Sequence, residues 1–250
     1  MNRTRRARQI QTIQLLKTEL EKPGLSAERR EELSEFLMDC AHDCFMDDMF
    51  EPDFLNGIIL IRHGESMANA GERTRTPSGI PLSPLGREQA RDLEHAALDP
   101  ELIVVSAYLR TQETAAPLCQ RLSDVPVETW PVHEFTYLAP EHYINTTEQD
   151  RHAPVARYWE RADPQHRDGP GAETFAEFIA RVDAILERLR SMDDPQVCIF
   201  THSFFILALL WRQMRPGAVV DERFMREYDI FRRAVRIEHA RPIPFRIIKS

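Results

Sequence analysis

No apolar run in this chain is long enough to cross a bilayer. The N-terminus has no apolar h-region, so a signal peptide is not expected. There is no surplus of cationic residues either. The net charge is −8, which leaves no electrostatic footprint for nucleic acid. Cysteine is scarce: Cys40, Cys44, Cys119 and Cys198 form no C-x-x-C pair, and each falls in an apolar pattern. They read as buried reduced thiols, which fits the cytoplasm. Internal repeats and low-complexity segments are absent. What remains is a chain of 250 residues, suited to one α/β domain with an extension.

The chain is organised around Gly57-Ile58-Ile59-Leu60-Ile61-Arg62-His63-Gly64-Glu65-Ser66. Four consecutive aliphatic residues read as a strand buried on both faces. The run stops at a cation, an imidazole and a glycine. In open α/β sheets, ligands bind just beyond the carboxyl ends of strands. Before this stretch, residues 1–55 read as a helical hairpin. Ile10, Ile13, Leu16 and Leu20 mark its first helix, and Leu33, Phe36, Leu37, Cys40, Ala41 and Cys44 mark its second. Its apolar faces must bury against the main domain or against a second subunit in a homodimer.

After it, residues 56–250 alternate strands and helices. Strands are expected at Leu102–Val105, Val125–Trp130 and Val197–Thr201, with an edge strand over Ile243–Ile248 beside Pro242 and Pro244. Helices are expected after Ser83-Pro84, over Tyr108–Leu122, around Pro154–Arg161, over Glu173–Met192, and from His202 to Met214. Residues 136–170 read as a loop-rich excursion. The fold class is α/β, a three-layer sandwich around a mostly parallel sheet. This order places Arg62-His63, Ser106 leading to Arg110, Glu134, and His202 at or just after strand ends.

Two arginines and two histidines around one point suit a tetrahedral dianion, because guanidinium forks match phosphate oxygens. Arg110 falls in the first turn of its helix, where free N–H groups and the dipole favour an anion. A histidine in line with phosphorus can act as nucleophile. A nearby carboxylic acid, Glu134, can protonate the leaving alkoxide, an effect of roughly 10²–10⁴-fold. The arginines supply the charge that Mg²⁺ supplies elsewhere, so no metal and no cofactor is expected.

These residues carry a family resemblance. Leu60-Ile61-Arg62-His63-Gly64-Glu65-Ser66 with Asn69 resembles the signature of the histidine phosphatase superfamily, the phosphoglycerate mutase-like enzymes of branch 1 type. Four further segments agree in order: Pro81-Leu82-Ser83-Pro84-Leu85-Gly86 with Gln89-Ala90; Ser106-Ala107-Tyr108-Leu109-Arg110-Thr111 with Thr114-Ala115; Gly171-Ala172-Glu173-Thr174; and Thr201-His202-Ser203. The resemblance implies that His63 is phosphorylated. It implies that Arg62, Arg110 and His202 hold the phosphoryl group with help from Asn69, and that Glu134 is the proton donor. Glu65 and Glu113 are rival carboxylates, read as orienting or structural groups. The reaction implied is phosphoric monoester hydrolysis of the histidine acid phosphatase kind on a small-molecule phosphate ester, with no nucleic-acid or membrane partner. Phosphoglycerate mutase-type transfer and a non-catalytic scaffold using the hairpin are the alternatives. The stretch from Glu134 to Gly171 has no obvious hinge glycines for a lid, which favours hydrolysis over transfer.

One departure stands out. The family's second histidine is usually followed by two glycines, whereas this chain has Ser203-Phe204-Phe205. A bulkier, more apolar pocket wall is expected, and with it an apolar or aromatic leaving group. His95, His133, His142, His152, His166 and His239 are read as polar, loop or helix-surface residues. Trp130 is read as packing, while Tyr137, Tyr143, Tyr158 and Trp159 either line a substrate mouth or pack the excursion.

Overall fold

The computed structural model describes residues 57–193 and 195–247. The hairpin expected over residues 1–55, with Cys40, Cys44 and any dimer contact through it, lies outside the described residues. Strand β1 (Ile58–Arg62) buries its first four residues. It pairs in parallel with β4 (Val197–Thr201), in register from Ile58↔Val197 to Arg62↔Thr201. β4 also pairs in parallel with β2 (Leu102–Val105), which pairs in parallel with β3 (Val127–Thr129). On the other side of β1 lies β5 (Pro242–Phe245), antiparallel. The strand order is β3-β2-β4-β1-β5, a mixed but mostly parallel sheet. β5 is at the edge, as its prolines require. Neither Pro242 nor Pro244 has an N–H, so the outer side of β5 offers a further strand little to pair with.

Side chains alternate across the sheet with period two. Ile59, Ile61, Ile103, Val105, Cys198 and Phe200 share one cluster with Leu93, Leu98, Ala115 and Leu118. Leu60, Val104 and Ile199, the alternate residues, are equally buried. This double burial is why these strands read as unbroken apolar runs. Helices α1 (Pro84–Asp92) and α2 (Leu109–Arg121) pack on each other, as do α4 (Phe175–Arg190) and α5 (Ser203–Met214). α5 is buried at every residue from Phe205 to Trp211 and also contacts β1. Helix α3 (His152–Arg161) lies within the excursion.

Helix α6 (Glu222–Ala234) was not expected. Its signals are local: Asp221 accepts from Phe224 N at 2.9 Å, and Glu222–Arg226 and Arg223–Glu227 are i,i+4 ion pairs. Its buried residues Phe224, Met225 and Tyr228 form a narrow stripe in a strongly charged segment, so the apolar period is weak.

The motif turn is locked by a close backbone approach. Ser83 caps α1 by accepting from Gly86 N at 3.0 Å, and its own N–H donates to Glu65 O at 2.9 Å. A Cβ on Gly86 would lie 1.9 Å from Glu65 O, and one on Gly64 would lie 2.6 Å from Gly86 O. Only glycine lets these two backbones touch. Replacing Gly86 by alanine is therefore expected to cost about 3 kcal/mol by overpacking, read as a lower urea midpoint. An unchanged midpoint would show that the two segments separate freely.

Candidate active site

His63 follows β1, Arg110 lies in the first turn of α2, and His202 follows β4. The structure brings all three together, each buried. Arg110 is the link: its Nε donates to His63 Nε2 at 3.1 Å, and its NH2 lies 3.1 Å from His202 Nδ1. Its NH1 donates to Pro77 O at 2.7 Å. His63 Nδ1 lies 2.7 Å from Gly64 O, which can only accept. The ring proton is thereby assigned to Nδ1, and Nε2 keeps a lone pair. His202 Nε2 meets Ser106 Oγ at 2.8 Å, and Ser106 Oγ meets Thr111 Oγ1 at 2.8 Å.

Glu134 lies in the loop after β3. Its Oε1 accepts from Phe204 N at 3.1 Å and from Phe135 N at 3.2 Å. The first of these donors belongs to the N-terminal turn of α5, whose dipole favours a carboxylate there. The loop itself hangs on Arg181 of α4. Arg181 NH1 donates to Pro131 O and His133 O, both at 2.9 Å, while NH2 is paired with Glu173 Oε2 at 2.7 Å. Thr201 Oγ1 donates to Val132 O at 2.5 Å from the other side.

The remaining expected residues are placed as follows. Arg62 donates through NH1 to Ile237 O at 2.6 Å. Asn69 is exposed, and its Oδ1 accepts from Ser66 N and Ser66 Oγ, at 3.2 and 2.8 Å. Glu65 accepts from Ser83 Oγ at 2.7 Å, and Glu113 accepts from Leu82 N at 2.6 Å and lies 3.5 Å from Arg87. Both carboxylates thus hold the start of α1, the orienting use expected of them.

Two histidines read as peripheral lie at the site instead. His239 Nδ1 is 2.8 Å from His63 O, and its ring is 5.6 Å from the His63 ring. His133 stacks on Tyr108 at 5.6 Å, and Tyr108 lies edge-on to His202 at 5.2 Å and beneath Arg110 at 4.9 Å. For His133 the sequence held a signal, since it precedes Glu134. For His239 it held none, because a late loop contributes it. The apolar wall expected from Phe204-Phe205 is only half present. Phe205 is fully buried against Phe178, whereas half-buried Phe204 stacks on Trp159 at 6.0 Å and lies 5.8 Å from Tyr137. Trp130 packs as expected, with Arg188 3.7 Å over its ring.

Residues 58–224 match the model of the histidine phosphatase superfamily (branch 1). The chain belongs to this superfamily. A glucosyl-3-phosphoglycerate phosphatase of Mycolicibacterium vanbaalenii is 36% identical over 108 residues, 42% of this chain and 48% of that protein. The match thus spans about half the length of that relative. The native structure of a mycobacterial glucosyl-3-phosphoglycerate phosphatase aligns at 26% identity and TM-score 0.51, over 68% of this chain and 83% of that one. An α-ribazole phosphatase from Shigella flexneri shares the fold, with TM-score 0.57 at 23% identity over 77% and 96% of the two chains.

Electrostatics at this superfamily site are set by burial. It pushes His63 and His202 well below the ordinary imidazole range, and Arg110 pushes both the same way. Burial, then Arg181, lowers His133 to about 4. Glu134 is raised by burial against the pull of Arg110 and Arg62. Two neutral imidazoles and a carboxyl that keeps its proton to higher pH surround one buried cation.

These shifts give acid stability a sign. Below about pH 6.5 the unfolded chain takes up protons on imidazoles that the folded chain keeps neutral. The stability from His63, His202 and His133 is full above that pH and is lost as pH falls. Glu134 works in the opposite direction, since its folded carboxyl binds a proton more readily than the unfolded one. Three histidines against one glutamate make a net loss. Urea midpoints are expected to drop steadily from about pH 7.5 to about pH 5. A flat profile would show that these histidines are not held neutral.

Proposed function

We propose that this chain is a phosphoric monoester hydrolase that works through a phosphohistidine on His63. It needs no metal, uses a three-layer α/β scaffold, and acts in the cytoplasm on a small-molecule phosphate ester. The observation that carries this reading is the buried His63–Arg110–His202 group, in which the Nε2 lone pair of an imidazole held neutral faces an arginine fork and accepts from its Nε. Relatives that are phosphatases by name support it.

In the first step His63 Nε2 attacks phosphorus and the ester P–O bond breaks. The leaving oxygen takes the proton of Glu134. In the second step the Glu134 carboxylate accepts a proton from water, whose oxygen attacks phosphorus. The P–N bond then breaks, inorganic phosphate forms, and the Nε2 lone pair returns. Arg62, Arg110, His202 and Asn69 hold the phosphoryl oxygens. Nδ1 of His202 accepts from Arg110 in one tautomer and donates to a phosphoryl oxygen in the other. Ser106 serves both, because its hydroxyl can donate to Nε2 or accept from it, and Thr111 follows suit.

The excursion supports hydrolysis rather than transfer to a second hydroxyl. Thr74 N donates to Thr146 O at 2.9 Å and Asn145 N donates to Thr74 O at 2.8 Å. Asp168 Oδ2 accepts from Ala139 N at 2.9 Å and pairs with His142 at 3.0 Å. A segment whose ends are bonded to each other and whose interior is bonded to Thr74 is a poor lid for sheltering an intermediate from water.

Rapid mixing with an aryl phosphate, acid quench and intact-mass analysis should show a transient gain of one phosphoryl group that His63→Ala lacks. Full turnover by His63→Ala would refute the mechanism. Glu134→Gln should lower kcat by about 10²–10⁴-fold on an alkyl phosphate and far less on the aryl ester, whose leaving group needs no proton. Equal losses on both esters would remove Glu134 from the acid role.

A further inference from the structure

Beyond Arg62 the sheet can no longer hold the chain. His63 N still donates to Thr201 O at 3.0 Å, as a parallel ladder requires. The next ladder donor, for the His63 carbonyl, would be the N–H of Ser203. But Ser203 is the first residue of α5, where the chain has turned away from the strand direction. On the opposite side the β5 ladder reaches only to Pro242, the partner of Ile61, and so stops short of His63. The peptide that carries the nucleophile therefore leaves the sheet with its carbonyl unserved by either neighbour.

Residues 237–240 take over. Ala240, in the left-handed region at φ 51°, donates its N–H to Arg62 O at 2.9 Å. Arg62 NH1 donates to Ile237 O at 2.6 Å. His239 Nδ1 lies 2.8 Å from His63 O, and since a carbonyl can only accept, Nδ1 carries the proton. The other end of the same peptide is held by Thr114, whose Oγ1 accepts from Gly64 N at 2.9 Å. Gly64 O in turn receives His63 Nδ1. The orientation of the His63 ring thus depends on a peptide clamped between the His239 imidazole and the Thr114 hydroxyl.

We infer that His239 is a positioning residue for His63. Its ring N–H stands in for the missing ladder donor and fixes the peptide from which the nucleophilic imidazole is aimed. This rests on the phosphohistidine reading. A lost aim costs rate rather than binding, because Arg110 and His202 still hold the phosphoryl group.

The test compares His239→Ala with His239→Asn in the full chain, using an aryl phosphate. The asparagine Nδ2 can reach where the imidazole Nδ1 stood and still donate. His239→Ala is expected to lose kcat by about tenfold, the worth of one hydrogen bond to geometry, with KM within about twofold. His239→Asn should recover kcat to within about threefold of the parent chain. A parental kcat in His239→Ala would overturn the inference, as would a folded His239→Asn no faster than His239→Ala. If the alanine chain does not fold, the asparagine chain decides alone: a loss of no more than about threefold supports the role, and a larger one overturns it. Failure of the phosphohistidine reading is a separate result. It would appear in the parent chain, as no turnover and no phosphoryl adduct, and the inference would fall with it.

Discussion

A buried guanidinium that faces no anion at contact distance governs this site. Arg110 gives its hydrogen bonds to the His63 ring, the His202 ring and the Pro77 carbonyl, none of them charged. Burying a cation among neutral acceptors is unfavourable, and proteins usually avoid it by pairing. Here the pairing charge is set back. Glu134 is near enough to feel Arg110, yet its Oε1 is bound to backbone N–H groups of Phe135 and Phe204. A tetrahedral dianion entering between the imidazoles would supply what the guanidinium lacks. Burial first, and then the same uncompensated charge, holds His63 below the ordinary imidazole range, so the guanidinium that would attract an anion also favours a neutral imidazole beside it.

Holding such a charge requires a rigid frame. The frame comes from strand ends in a fixed register: Arg62↔Thr201 sets His63 beside His202, and Val105↔Phe200 brings Ser106 next to them. Where the strands stop, side chains continue the bonding. Thr114 holds Gly64, Thr201 holds Val132, and Arg181 holds the carbonyls of Pro131 and His133 on either side of Val132. The backbone contact of Gly64 with Gly86 closes the motif turn against α1. Each is a short-range constraint on a loop that would otherwise be free to move, which suits a site whose geometry matters to fractions of an ångström.

Much of this was legible in the sequence because the relevant residues interrupt strong patterns. Arg62-His63 ends an aliphatic run, His202 ends another, and Arg110 opens a helix after a third. Glu134 was harder to read, since the strand before it is short and fully exposed, and its position was inferred from the order of elements. What the sequence hid was mostly contributed from a distance. His239 reaches His63 across 176 positions, and nothing near residue 239 marks it. Helix α6 was hidden because its buried face is three residues wide in a charged segment. Asn69 was legible as a residue but not as a geometry: its carbonyl oxygen is committed to Ser66, which leaves the amide nitrogen as its free-facing donor.

The departure at Ser203-Phe204-Phe205 is best understood through what glycine supplies at such a position. Glycine gives close backbone approach, and a backbone N–H does the work. That N–H is retained here. Phe204 N donates to Glu134, and the Phe204 carbonyl accepts from Tyr228 at 2.8 Å, so the peptide units on both sides of Phe204 are held as a small residue would need them. The Phe204 ring stacks on Trp159 and meets Tyr137. Phe205 turns the other way into the core against Phe178. The aromatic pair therefore leaves Glu134 its bond to the Phe204 N–H. It makes the first turn of α5 a rigid wedge between the core and the aromatic cluster of the excursion, and Glu134 is bonded to that wedge.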